Sequence, residues 1–196
     1  MKKLLLVLII FSSFPMLAGG LPSEKARGLF LVFGVGPRLP VSSFSNQSSF
    51  GYGFDAELDY TDNELLPFFL FTKMGFQQFP GSQTFYQSSD YSNYSINSFP
   101  LEIGAKYFFA PLLENVVLFM PVIEFSAAYN FTQVLHQFKT GTGRSNFVEN
   151  NSRLGLTGGV GISMFLLEVM ATYNYFQSTQ YVGIDLRVRI PLYIVL

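Results

Sequence analysis

The run Tyr181-Val182-Gly183-Ile184-Asp185-Leu186-Arg187-Val188-Arg189-Ile190-Pro191-Leu192 decides the fold. Val182, Ile184, Leu186, Val188, Ile190 and Leu192 share one parity, while Gly183, Asp185, Arg187 and Arg189 share the other. An extended strand separates charge from aliphatic carbon in this way, because its side chains alternate between two faces. A second run repeats the pattern, with Phe50, Tyr52, Phe54, Ala56, Leu58 and Tyr60 against Gly51, Gly53, Asp55, Glu57 and Asp59. A third sets Leu101, Ile103, Ala105, Tyr107 and Phe109 against Glu102, Gly104, Lys106 and Phe108.

Five weaker runs lie around these three, at 29–38, 66–76, 117–131, 154–164 and 167–176. They place Arg38, Lys73, Glu124, Arg153 and Glu168 on the polar parity. The total is eight strands. Two connections test the register. A two-residue turn at Phe165-Leu166 pairs Met164 with Leu167 and Ser163 with Glu168, which keeps partners on one face as cross-strand pairs require. A four-residue loop over Gln177 to Gln180 pairs Phe176 with Tyr181, again on one face. The connections alternate in length: 39–49, 77–97 and 132–152 are long, whereas 61–65, 110–116 and 165–166 are short.

Composition supplies the solvent. Of 196 residues only 13% are charged, 49% are hydrophobic, 23 are Phe and 11 are Tyr, and mean hydropathy is +0.31. Charges nearly balance, with 12 Lys+Arg and 13 Asp+Glu. These figures exclude a disordered chain, a coiled coil and a basic nucleic-acid binder, and they indicate a membrane protein. Yet no stretch after residue 20 offers about 20 apolar residues for a spanning helix. The most apolar one, Leu112 to Phe125, is interrupted by Glu114, Asn115, Pro121 and Glu124. Lipid then leaves the closed β-barrel, which satisfies every backbone group between strands.

The first residues address the chain. Met1-Lys2-Lys3 is a positive start, Leu4 to Phe11 is apolar, and the small cluster Ala18-Gly19-Gly20 follows a break at Ser12, Ser13 and Pro15. Together these read as a secretory signal peptide over 1–20, cleaved after Gly20 or after Ala18. The expected mature domain, 21–196, carries no cysteine, so a large core or lipid must hold it. Long loops on one side and short turns on the other match the outer-membrane arrangement.

Alternation alone would also suit a soluble barrel with its apolar face inside. Three features favour lipid outside. Glycine crowds the polar face, which suits a narrow interior; Phe and Tyr sit near strand ends, as interfacial girdles do; and the strands exceed the usual five or six residues. The expected fold is all-β, an eight-stranded antiparallel up-and-down transmembrane β-barrel.

The polar face concentrates charge. Arg38, Asp55, Glu57, Asp59, Lys73, Glu102, Lys106, Glu124, Arg153, Glu168, Asp185, Arg187 and Arg189 all point into the expected lumen. Eight strands enclose a space that side chains fill, and an unpaired charge there is costly. The thirteen are therefore expected to form an interior charge network, with the stripe Asp55, Glu57, Asp59 facing Arg187 and Arg189. Such a network reads as a structural plug, or alternatively as an ion pathway.

Catalytic signals are thin. The one histidine, His136, opens a long loop with no serine two residues away, and Ser88, Ser89 and Asp90 lie in another loop within a serine-rich context. Neither makes the nucleophile, base and orienting acid of a hydrolase. No metal cluster, phosphate loop or dinucleotide motif occurs. The expectation is a non-enzyme without cofactors, with a small-solute or ion channel and an outer-membrane lipid-modifying enzyme as alternatives. Two loops, FPGSQTFYQSSDYSNYSIN at 79–97 and TQVLHQFKTGTGRSNFVENNS at 132–152, carry the Tyr, Ser, Asn and Gly of recognition surfaces. They are the expected seat of an extracellular ligand, or simply a solvated cover for the barrel end.

The signal peptide, eight alternating strands, long outer loops and charged lumen resemble the OmpA/OmpX-type small outer-membrane barrels. Tyr181-x-Gly183-x-x-Leu186-x-Val188 resembles the element read by the barrel assembly machinery, although it ends eight residues early and the chain finishes in Leu196 instead of an aromatic residue. The resemblance implies a monomer in the bacterial outer membrane, with outer-membrane lipid and the assembly machinery as partners. It also implies a structural, adhesive or surface-defence role.

Overall fold

A computed structural model of the chain describes residues 26–112, 119–164 and 166–195. The signal peptide read at 1–20 lies outside them. Eight strands follow one another: β1 (Arg27–Val41), β2 (Gly51–Asp62), β3 (Phe69–Pro80), β4 (Tyr91–Phe108), β5 (Phe119–Phe138), β6 (Phe147–Met164), β7 (Leu167–Phe176) and β8 (Gln180–Val195). Each pairs antiparallel with the next, and β1 pairs with β8, so the sheet closes into a barrel with no free edge. Among the described residues no helix is long and apolar enough to cross a membrane.

The two parities become outside and inside. Ile103 is 69% exposed, Val160 62% and Leu154 80%, and they belong to an outward apolar face shared by all eight strands, a contiguous surface of the kind that contacts lipid. Meanwhile Arg187, Lys106 and Asp59 are wholly buried. The interior is narrow enough that glycine is required where strands press together. A Cβ on Gly104 would lie 2.3 Å from the Phe125 carbonyl oxygen, and one on Gly161 would lie 2.3 Å from that of Val169.

Registers agree at the β6–β7 turn, where Met164 pairs with Leu167 and Ser163 with Glu168. The β7–β8 connection differs from the sequence reading. Asn174, not Phe176, pairs with Tyr181, and the Thr179 amide donates to the Phe176 carbonyl at 3.1 Å. This tight turn is possible because Ser178 takes a left-handed conformation, φ 73°. The shift of two residues leaves every side chain on its expected face.

The larger difference concerns height. Of the segments read as loops, 132–152 is mostly strand and about half of 79–97 is. β4 starts at Tyr91, β5 runs to Phe138 and β6 starts at Phe147. What remains between strands is a 3-10 turn at Ser42–Asn46, a short helix α1 (Gln83–Ser88) and the tip at 139–146. Ser82 caps α1 by accepting from the Phe85 amide. Lys139 Nζ donates to the Tyr86 and Ser89 carbonyls at the other end of the helix, where carbonyls lack partners and a cation is favoured. β4, β5 and β6 span 18, 20 and 18 residues, whereas β7 spans 10. The barrel therefore has a tall wall on one side of its mouth and a low rim on the other.

Candidate functional site

The interior has two levels. At membrane height, charge dominates it, with Val32, Phe71, Val122 and Met170 packed among the ion pairs. Arg187 Nη1 and Nη2 grip both oxygens of Glu124 at 2.7 and 3.1 Å, and Nη1 also lies 3.3 Å from Glu168 and 3.6 Å from Glu57. Lys106 pairs with Glu57 and lies 3.5 Å from Asp59 and 3.4 Å from Glu168. Lys73 reaches Glu102 at 3.1 Å and Glu124 at 3.5 Å. Arg189 bridges Asp59 and Glu168 at 3.2 and 3.0 Å, and its guanidinium stacks 4.6 Å above the Phe108 ring, with Phe30 and Phe69 at its flanks. Nearer the mouth, Arg38 joins Asp185 at 2.6 Å and Asp55 at 3.3 Å. Paired charge of this kind is how a buried ion avoids its full desolvation cost. A cavity of about 10 Å³ among Arg38, Asp55, Lys73 and Asp185 has room for about one water.

Arg187 and Arg189 meet the acidic stripe through Glu57 and Asp59, but the shortest contacts of Arg187 run across the lumen to Glu124, and Asp55 belongs to Arg38. Strand alternation fixes which face a residue takes. It does not fix which residue stands across the barrel, because that depends on how far the sheet is sheared before it closes. Arg153 departs from the expected set. It sits higher than the other basic residues, opposite Asn130 in the β5–β6 ladder. It donates to the Gln177 carbonyl of the β7–β8 turn, and no described carboxylate lies within ion-pair distance of it.

Above the charges, rings fill the mouth. Phe44, Phe79, Tyr94, Ile96, Val134, Phe176 and Tyr181 form one buried cluster with Ala128. Phe79 stands 5.0 Å from Phe44 and 5.2 Å from Tyr181, ring centre to ring centre. Tyr86 on α1 ties down the wall by donating to the Tyr94 carbonyl and accepting from the Tyr94 amide. Burial pushes the Tyr94 hydroxyl up to about 12.

The projecting wall presents an inward face of its own. His136 Nδ1 meets the Tyr91 hydroxyl at 3.0 Å and its Nε2 meets Glu149 at 3.2 Å, while its ring stacks on Phe147 at 4.3 Å. Asn151 donates to the other Glu149 oxygen at 2.8 Å. That bond, with the one from His136, holds the Glu149 carboxyl below its ordinary range. Between this face and the low rim opens a cavity of about 160 Å³, reaching from Phe44 and Val134 to Glu149, Arg153 and Thr179. Among the described residues no group of three or more His, Cys, Asp or Glu side chains is arranged to hold a metal ion.

No family model matches the sequence, and no curated protein matches it. Solved structures do. Neisserial surface protein A superposes with a TM-score of 0.54 at 16% identity, covering 85% of this chain and 99% of that one. Ail, the attachment invasion locus protein of Yersinia pestis, gives a TM-score of 0.47 at 10% identity with the same coverages. The fold is that of the small eight-stranded outer-membrane barrels.

In this barrel, alternation located the membrane-level charges. The aromatic mouth, α1 and the Tyr91–His136–Glu149 contacts went unread, because Phe44, Phe79, Tyr94, Ile96, Val134 and the wall residues were assigned to loops, whereas Ala128, Phe176 and Tyr181 were read in strands without the partners that complete the cluster. A signal existed: Tyr94, Ile96 and Val134 continue the parity of their strands, but with the apolar residues inside.

Proposed function

We propose that this chain is a non-enzymatic surface barrel of the bacterial outer membrane, exported by its signal peptide. It meets extracellular partners through the wall raised by β4, β5 and β6. The observation that carries the reading is the filling of the interior at two levels. Ion pairs below and packed rings above among the described residues support a plugged lumen, which leaves the projecting wall as the surface for work. The likeness to Neisserial surface protein A supports the fold on which this reading rests. Outer-membrane lipid around the apolar face and the barrel assembly machinery at β8 are its proposed cellular partners, with the monomer as the working unit.

The test is a variant with 139–146 replaced by a tight turn and Gln83–Ser88 deleted, expressed on cells and compared with the parent chain. Outer-membrane fractionation and a heat-modifiable gel band establish that the barrel has assembled. The expected result is intact assembly with loss of binding to host cells or matrix. Unchanged binding sinks the reading, and sustained charge-selective openings of the parent in planar bilayers would put a channel in its place.

A further inference from the structure

The cavity at the mouth goes beyond the adhesive reading and stands independently of it. Three features distinguish it from space left by imperfect packing. First, Arg153 brings to it a guanidinium with no carboxylate partner among the described residues, although Arg27, Arg38, Arg144, Arg187 and Arg189 all have one. Second, the buried Thr179 hydroxyl at its edge has no hydrogen-bond partner, and such a group costs free energy until something satisfies it. Third, the opposite end holds Glu149, an acceptor already oriented by His136 and Asn151. Between the two ends Phe44, Ile96 and Val134 form an apolar strip beside the polar Gln47, Thr132 and Asn151.

Glu149 and Arg153 point inward from one strand, four residues apart, so their backbones are about 13 Å apart, and their side chains shorten that span. We infer that the mouth cavity binds a small amphipathic carboxylate carrying an amino or hydroxyl group at its far end. Its carboxylate would lie on Arg153 and Thr179, its carbon chain against Phe44 and Val134, and its donor on Glu149. The inorganic anions and bulky polyanions that a bare arginine would otherwise attract are disfavoured by Glu149 in the same cavity.

The experiment titrates the purified full chain, folded in uncharged maltoside micelles, with aminocaproate, caproate and hexylamine by calorimetry. Aminocaproate should bind, caproate about tenfold more weakly for want of the donor, and hexylamine not measurably. Arg153→Gln should weaken aminocaproate binding by at least about tenfold. Absence of aminocaproate binding at millimolar concentration overturns the inference. So does equal binding of hexylamine, or undiminished affinity in Arg153→Gln. Because Arg153 also holds the Gln177 carbonyl, Thr179→Val serves as the second variant. It keeps the turn, and unchanged affinity there counts against the inference just as directly.

Discussion

The membrane-level interior and the mouth obey opposite rules within the same strands. In β4, Glu102 points in and Leu101 points out to lipid, whereas a few residues earlier Ile96 points in and Asn97 points out. β5 inverts in the same way between Phe131, which faces out, and Val134, which faces in. In β3 the change falls between Phe76 and the buried Phe79. Across these reversals side-chain parity holds and the solvent changes; the register shifts lie elsewhere, at Leu29/Phe30 and Tyr91/Asn93. Where lipid surrounds the barrel, polar groups belong inside, and where water surrounds it, the ordinary hydrophobic core returns. The inversion therefore marks the height at which the strands leave the membrane.

The strongest way to break this comparison is to remove charge from the lower level. Arg187→Met removes one of the two cations that Glu124, Glu168 and Glu57 share, leaving Lys106 to face all three acids in a buried space. Breaking a buried pair from one side costs about 3–5 kcal/mol. Urea titration of the barrel in vesicles should show that loss, and a double variant with Glu124→Leu should recover part of it. A single variant as stable as the parent would mean that the ion pairs do not hold the lower level.

The upper level calls for the opposite chemistry. Phe79→Ala empties a ring packed between Phe44 and Tyr181 and should cost about 3 kcal/mol, the lower end for such truncations because a rim can settle inward. Phe79→Lys should be worse than Phe79→Ala, although a lysine is accommodated at Lys73 on the same face six residues away. If the lysine substitution were tolerated as well as the alanine one, the mouth would not be a hydrophobic core. In the same titration, both variants should leave the lower-level amides of β8 protected against hydrogen exchange.

The same inversion explains what could be read from the sequence and what could not. Runs such as Val182 to Leu192 kept one sense of polarity for their whole length, and their strands, faces and lumen residues were legible. At Phe76, Leu101 and Phe131 the sense reversed, and a rule that equates apolar with outside must end the strand there, as the reading of 79–97 and 132–152 as loops did. The partners of Arg187 were hidden for another reason: closure brings β8 opposite β5 through three-dimensional shear, which leaves no local pattern. Arg153 was read on the polar face with the other charges, and its position above them was not legible, since parity carries no height. The β7–β8 register was missed by two residues because Ser178 reaches a left-handed turn without the glycine or asparagine that usually announces one.

The smallest effect sharpens the comparison at its top edge. Glu149 lies on the wall above the aromatic cluster, and its carboxyl titrates below the ordinary 4.5 because Asn151 and His136 donate to it, with Arg153 adding charge from the same strand face. A group with a depressed folded value contributes stability that is present above 4.5 and lost as the pH falls through the folded value. Because Glu149 is largely exposed, the contribution is small and local. Protection at Phe147 to Asn151, taken relative to the intrinsic base-catalysed rate that itself falls with acid, should therefore decrease as the pH drops below about 4.5, while the amides of Asp185 to Arg189 keep their protection. In Glu149→Gln the wall should exchange at the faster rate at every pH, because the carboxylate that organised His136 and Asn151 is gone. Acid-sensitive exchange that persists in Glu149→Gln would assign the response to another group on the wall, and an equal response in β8 would show that the two levels are not independent.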